Sequence, residues 1–228
     1  MFLTGDIGIG ITAFVLYYGV SYMAEIIDIS LDINEDTVVM PENPEFNKEE
    51  LASIEDEGYE LYRICMSNHI GTHIDAPAHF IQDGALINQL SLSTLIGRAL
   101  VIEIRDEHKV SLDELKKVDL NDNIRVLFKT RNSKLLDENR PSKDFVYVDK
   151  EVARYLVEKG VRLIGLDYFS IDRIEDQDKP AHIELAGNDV IVIEGINLLN
   201  VEPGEYQLMA LPIKINADGA PARVVLSR

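Results

Sequence analysis

Tryptophan is absent from this sequence, and Cys65 is the one cysteine in 228 residues. A single cysteine excludes an intramolecular disulfide framework and any Cys/His zinc-finger spacing. It fits a reducing compartment, so a cytoplasmic protein is expected. Basic residues are also scarce, with 22 Lys and Arg against 40 Asp and Glu and a net charge of −18. Nucleic-acid phosphates demand basic patches, and anionic membranes attract the same residues, so this balance argues against both partners. Internal repeats, low-complexity tracts and a dividing linker are missing as well. What remains is the composition of one soluble domain with a real core, 46% hydrophobic and 27% charged.

One uncharged run, residues 7–24, reaches the length of a marginal membrane span. Only Asp6 precedes it, so the basic start of a secretory signal is missing, and Gly8, Gly10 and Gly19 make it a poor helix. Residues 1–23 are therefore expected to be an N-terminal extension, an upstream start or an arm rather than an anchor. Residues 24–228 are expected to be the domain.

Within that domain Ile27, Ile29, Leu31 and Ile33 alternate with polar residues, predicting a strand over 25–33. Further strands are predicted over 59–66, 100–104, 124–129, 161–166, 190–194 and 207–211. Residues 46–58 read as a solvated loop or short helix, and 132–144 as a polar loop. Ser111 and Glu114 form a capping-box pattern. Asp149 caps a helix through Lys159 that Gly160 ends, with Val152, Tyr155 and Leu156 as its buried stripe.

Chemistry concentrates in His69-Ile70-Gly71-Thr72-His73-Ile74-Asp75-Ala76-Pro77-Ala78-His79. The chain has five histidines, and three of them fall in these eleven residues. In an extended segment His69, His73, Asp75 and His79 share a face, and Gly71 and Pro77 allow it to curl. Two imidazoles and a carboxylate are thereby brought to one point with a third imidazole nearby, a donor set suited to zinc or manganese. Glu194, closing the apolar run Val190–Ile193, is costly to bury unless paired or bound to a cation. Cys65 reads as a packing residue rather than a nucleophile.

The pattern HxGTHxDxPxH, complete here at His69, Gly71, Thr72, His73, Asp75, Pro77 and His79, resembles the signature of the cyclase-like metal-dependent hydrolases. That family includes bacterial kynurenine formamidases and isatin hydrolase. The resemblance extends from about Glu25 to Val225, through Gly165–Asp172 (the family's GxDxxSxD) and the closing strands around 211–215 and 218–225. It implies an α/β single domain with a mixed β-sheet and flanking helices, of the swivelling β/β/α type, usually a homodimer or homotetramer.

It also implies metal ligands His69, His73, Asp75, His182 and Glu194, the last two from a histidine followed twelve residues later by a glutamate. One or two divalent ions, Zn2+ or Mn2+, are implied, with His79 as the catalytic proton shuttle. Asp167 and Ser170 belong either to the site or to a capped turn. Glu184 is expected on a helix surface. The implied activity is hydrolysis of an amide carbon–nitrogen bond, arylformamidase-like, as in N-formylkynurenine to kynurenine and formate. A cyclic amide or lactone hydrolase of the isatin hydrolase type would use the same site. A metal-binding scaffold without turnover is the rival, and it would have no use for His79.

Overall fold

Alternating burial along short strands sets the architecture. The computed structural model describes residues 25–40, 43–137 and 142–228, so the expected extension over 1–23 lies outside the described residues. In chain order the elements are β1 (Ile26–Asp28), β2 (Asn47–Ala52), α1 (Ile54–Glu57), β3 (Leu61–Cys65) and β4 (His73–Asp75). A 3₁₀ turn at Pro77–His79 follows, then α2 (Leu92–Leu95), β5 (Ile96–Glu103), α3 (Leu112–Leu115), β6 (Arg125–Lys129) and α4 (Asn132–Asp137). The chain closes with α5 (Lys150–Glu158), β7 (Leu163–Leu166), α6 (Pro180–Ala186), β8 (Ile191–Glu194), β9 (Gly204–Pro212) and β10 (Gly219–Ser227).

The large sheet runs β1-β10-β4-β8-β7-β6-β5-β9, and β9 also pairs with β10, so the sheet closes on itself. β5, β6, β7 and β8 are mutually parallel, and the remaining pairings are antiparallel. This is a mixed α/β domain, as the resemblance implies.

Successive side chains on a strand point to opposite faces, so each buried strand feeds two cores. Ile74, Ala99, Val101, Leu127, Leu163, Ile191 and Ile193 join the cluster inside the closed sheet. Leu100, Ile102, Val126, Phe128, Ile164 and Val192 face outward, where α5 and α6 cover them with Val152, Leu156, Ala181 and Leu185. The same alternation puts His73 and Asp75 on the face of β4 opposite Ile74. The register sets His73 opposite Glu194 and Asp75 opposite Val192. Two site residues therefore become cross-strand neighbours through pairing alone.

Three expected elements differ. The first strand is shorter because β10 offers its edge to β4 over 219–221 and to β1 only over 225–227. Past it, the Leu31 N–H leaves the ladder and donates to Thr72 Oγ1 at 2.8 Å. The stretch read as solvated holds a strand, β2, which forms a separate antiparallel hairpin with β3. Its partners are the Arg63–Glu49 ion pair at 2.6 Å and Lys48 over the Tyr62 ring at 4.2 Å, so no apolar alternation marks it. The polar loop begins as α4, because Asn132 N donates to Thr130 Oγ1 and the Asn132 amide bonds both backbone groups of Val146. The Ser111 cap is present, but Glu114 turns its carboxylate to Arg105 N instead of completing a box.

Asp167, buried at the end of β7, accepts from Thr130 N and Oγ1 at 2.8 Å and from Ser133 N and Oγ at 3.1 and 2.6 Å. Ser133 Oγ in turn accepts from Leu198 N at 3.0 Å. Asp167 thus pins three chain segments and lies in no site contact. Replacing it by Ala strands buried donors, and a loss of about 3 kcal/mol is expected in urea unfolding. Metal content per folded molecule should stay unchanged.

Candidate metal centre

All six residues singled out in the sequence converge on a cavity of ≈ 600 Å³. β4 supplies His73 and Asp75, the end of β8 supplies Glu194, and α6 brings His182 down from above. The loop before β4 supplies His69, and the 3₁₀ turn supplies His79. Gly71, at φ +57°, makes the bend that lets His69 fold back toward Asp75. Thr72, buried, donates to Gly195 O and accepts from Leu31 N, which ties the motif to β8 and to the segment after β1. Gly219 is required for a different reason: a Cβ there would lie 2.3 Å from His69 Cε1.

The imidazoles are held by their outer nitrogens. His73 Nδ1 donates to Gly71 O at 3.0 Å, and His182 Nδ1 meets Asp172 Oδ2 at 2.6 Å. Each Nε2 then faces carboxylates, His73 at 3.4 Å from both Asp75 and Glu194. His182 Nε2 lies 3.1 Å from Glu194 and 3.5 Å from Asp75. His69 Nδ1 lies 2.8 Å from Asp75 Oδ1. A neutral imidazole in this tautomer turns a lone pair toward carboxylate oxygens, so each contact calls for a proton or a cation between the atoms.

Electrostatics without a cation follow that demand. Burial lowers the affinity of His73 for a proton, but the Glu194 hydrogen bond and the charges of Asp75 and Glu194 outweigh it and raise its pKa to about 9. His182 is pushed well up, burial being overcome by Asp172, Asp75 and Glu194. His69 is raised through Asp75, again against burial. Burial pushes Asp75 up, yet His182 and His69 hold it well below the usual carboxylate range. Glu194 is lowered by His182 and His73 against both burial and the charge of Asp75. Asp172 is lowered mainly through His182, against burial, and also accepts from Ala181 N and His182 N, so it caps α6 and orients its histidine together.

Ligand atoms of His69, His73 and Asp75 lie within 4.8 Å of one another, as do those of Asp75, His182 and Glu194. His79 stands outside these two sets and makes a third such group, less buried, with His69 and Asp218. Its Nδ1 meets Asp218 Oδ2 at 2.7 Å, and its ring stacks on His69 with centroids 4.0 Å apart.

The Cyclase family model matches residues 27–173. The chain belongs to the Cyclase family. Kynurenine formamidase of Geobacillus thermodenitrificans is 39% identical over 212 residues, covering 89% of this chain and 97% of that protein. Kynurenine formamidase of Bacillus anthracis is 34% identical over 203 residues, covering 88% and 96%. A solved structure described as a potential metal-dependent hydrolase with cyclase activity superposes with a TM-score of 0.78 at 33% identity, covering 90% of this chain and 98% of that one. Isatin hydrolase A from Labrenzia aggregata, with a TM-score of 0.77, 24% identity and coverage of 90% and 93%, shares the fold.

In this Cyclase-family chain two further carboxylates belong to the site. Asp218 sits in an Asp-Gly turn signal that hides its contact with His79 and His69. Asp172 closes the GxDxxSxD segment, where only its position after Ser170 pointed to it. Ser170 lines the cavity. Glu184 faces Arg154 at 3.6 Å and Lys150 at 3.8 Å, as a helix-surface residue does. Cys65 is exposed on β3, so its reading as a buried packing residue is corrected; the hairpin carrying it stands off the core.

A histidine raised in the fold adds stability that is complete below its unfolded pKa and is lost as pH rises through the folded one. Chelator-treated protein should therefore lose thermal stability between pH 6.5 and about 9, the window of His73. His73→Gln should reduce that slope, the remainder coming from His69 and His182, which are raised as well. A melting temperature constant across the window would contradict the assignment.

Proposed function

We propose that the protein is a metal-dependent hydrolase cleaving the carbon–nitrogen bond of an amide, with aryl formamides such as N-formylkynurenine as its substrate class. The observation that carries this reading is the division of labour among histidines around one cavity. His73 and His182 aim Nε2 into a buried carboxylate cluster, whereas His79 stands at the mouth, engaged by Asp218.

The donors fit a divalent ion. They are imidazole nitrogens and carboxylate oxygens without a thiolate, as zinc or manganese accepts. Ligands about 2.0–2.1 Å from a common tetrahedral centre lie roughly 3.3 Å apart. The contacts of His73 and His182 with Asp75 and Glu194 span 3.1–3.5 Å. His69, His73, Asp75, His182 and Glu194 would hold one or two ions, with Asp75 common to both sets. An ion there supplies Lewis acidity, polarising the amide carbonyl and acidifying water.

The chain's own residues do the remainder. Phe80 lies 4.6 Å from the His182 ring, and with Phe169, Met40 and Ile174 it gives an aryl group an apolar surface to pack on. Aromatic residues make up only 7% of the chain, but two of them, Phe80 and Phe169, line this cavity. With Nδ1 engaged by Asp218, His79 keeps Nε2 for proton transfer. It protonates the departing nitrogen as the carbon–nitrogen bond breaks, so the amine leaves neutral and the oxygen of water ends in the carboxylate product. Asp218 fixes the orientation of the ring through its Nδ1 contact.

The same reading takes the enzyme to be cytoplasmic and a homodimer or homotetramer. Apolar residues exposed on the hairpin, Ile54 at 66% and Ile64 at 57%, support self-association.

His79→Ala is expected to keep bound metal and lower turnover by about 10²–10⁴. Metal loss in that variant would make His79 a ligand instead. Glu194→Gln should lose metal and activity together, and full metal content would break the proposed ligand set. The deciding experiment is elemental analysis of purified protein alongside formyl release from N-formylkynurenine with and without chelator. Bound zinc or manganese with chelator-sensitive release is expected. Metal without release would move the substrate to cyclic amides or lactones, and no metal under replete conditions would overturn the reading.

A further inference from the structure

We propose that Lys179 recognises a carboxylate on the substrate, which makes the enzyme selective for aryl amides that carry one. This inference rests on the amide hydrolase reading and goes beyond it by naming the group that the cavity recognises away from the scissile bond.

Lys179 is the one lysine or arginine among the described residues lining the cavity, whose floor carries Asp75 and Glu194. On a chain of net charge −18, a substrate carboxylate meets an adverse field, and a cation at the cavity reverses it locally. The ammonium of Lys179 is also left without a counter-charge. Asp176, close by in sequence, is taken by Arg173 at 2.7 and 3.1 Å. Lys179 Nζ donates to Arg173 O at 3.1 Å and meets no carboxylate within 4.0 Å among the described residues. An ammonium has three N–H donors, so two have no protein acceptor there.

The backbone supplies an independent observation. Lys179 sits at φ 40°, ψ 60°, left-handed for a residue with a Cβ and immediately before Pro180, where extended conformations are favoured. Strain of this kind persists where surrounding structure holds a residue in place, and it clusters at functional sites. Here it places Lys179 at the start of α6, three residues before His182. The side chain that meets the carboxylate and the histidine of the buried cluster are thereby carried on one element. A charge-assisted hydrogen bond to the bound substrate alters affinity rather than the chemical step.

The test compares N-formylkynurenine with formanilide, which has the aryl formamide and no carboxylate, in metal-loaded wild type, Lys179→Met and Lys179→Arg. Lys179→Met is expected to raise KM for N-formylkynurenine about ten- to hundredfold with kcat nearly unchanged and to leave formanilide hydrolysis as it was. Lys179→Arg should restore most of the loss. Equal losses on both substrates would make Lys179 merely structural, and no change on either would remove it from recognition; both overturn the proposal. Calorimetric binding of kynurenine, which keeps this carboxylate, with 2-aminoacetophenone as the control that lacks it, reads the same contact without turnover. If metal-loaded wild type hydrolyses neither substrate, the aryl formamide reading falls and the substrate moves to cyclic amides or lactones. Weaker kynurenine binding by Lys179→Met would then still support the carboxylate contact, and equal binding would overturn it.

Discussion

Two carboxylates buried beside each other are the constraint on which the rest of this structure depends. Asp75 and Glu194 are each 4% exposed, and ionised groups so placed are costly unless compensated. The fold answers with imidazoles from three directions, each held by its outer nitrogen so that the inner one meets an oxygen. Asp172 stands behind His182, Gly71 O behind His73, and Asp218 beside His69 and His79. These supporting contacts fix tautomer and ring orientation, which a list of ligands alone would not convey.

The closed sheet makes this arrangement rigid. Pairing of β4 between β10 and β8 leaves its three residues no edge to slip along, and a slip of one residue would exchange Ile74 with the site residues. Glu194 is fixed further by Ile171 N at 2.8 Å, which joins the end of β8 to the segment after β7. The chemistry therefore stands on a ladder whose register is set by the packing of both of its faces.

Much of this was legible in the sequence because it is local. The spacing of His73 and Asp75 encodes a shared strand face, Gly71 and Pro77 mark the bends that bring in His69 and His79, and the capped amphipathic pattern of α5 encodes a helix. The pairing of His182 and Glu194 with that face came through family resemblance, since nothing in the periodicity joins residues more than a hundred positions apart. What stayed hidden shares one physical cause. β2 is held by charge and cation–π contacts instead of apolar alternation, α4 by side-chain capping, and Asp218 acts through a partner 139 residues away. Interactions of that kind leave no period in a sequence.

Asp75 divides its two oxygens, Oδ1 toward His69 and His73 and Oδ2 toward His182. One rigid group thus serves as a hinge between two charge-bearing neighbourhoods. A positive charge gained on one side of Asp75 weakens the pull of its carboxylate on the other, so His69 and His73 do not titrate independently of His182. No change of charge on one side of Asp75 is therefore independent of the other.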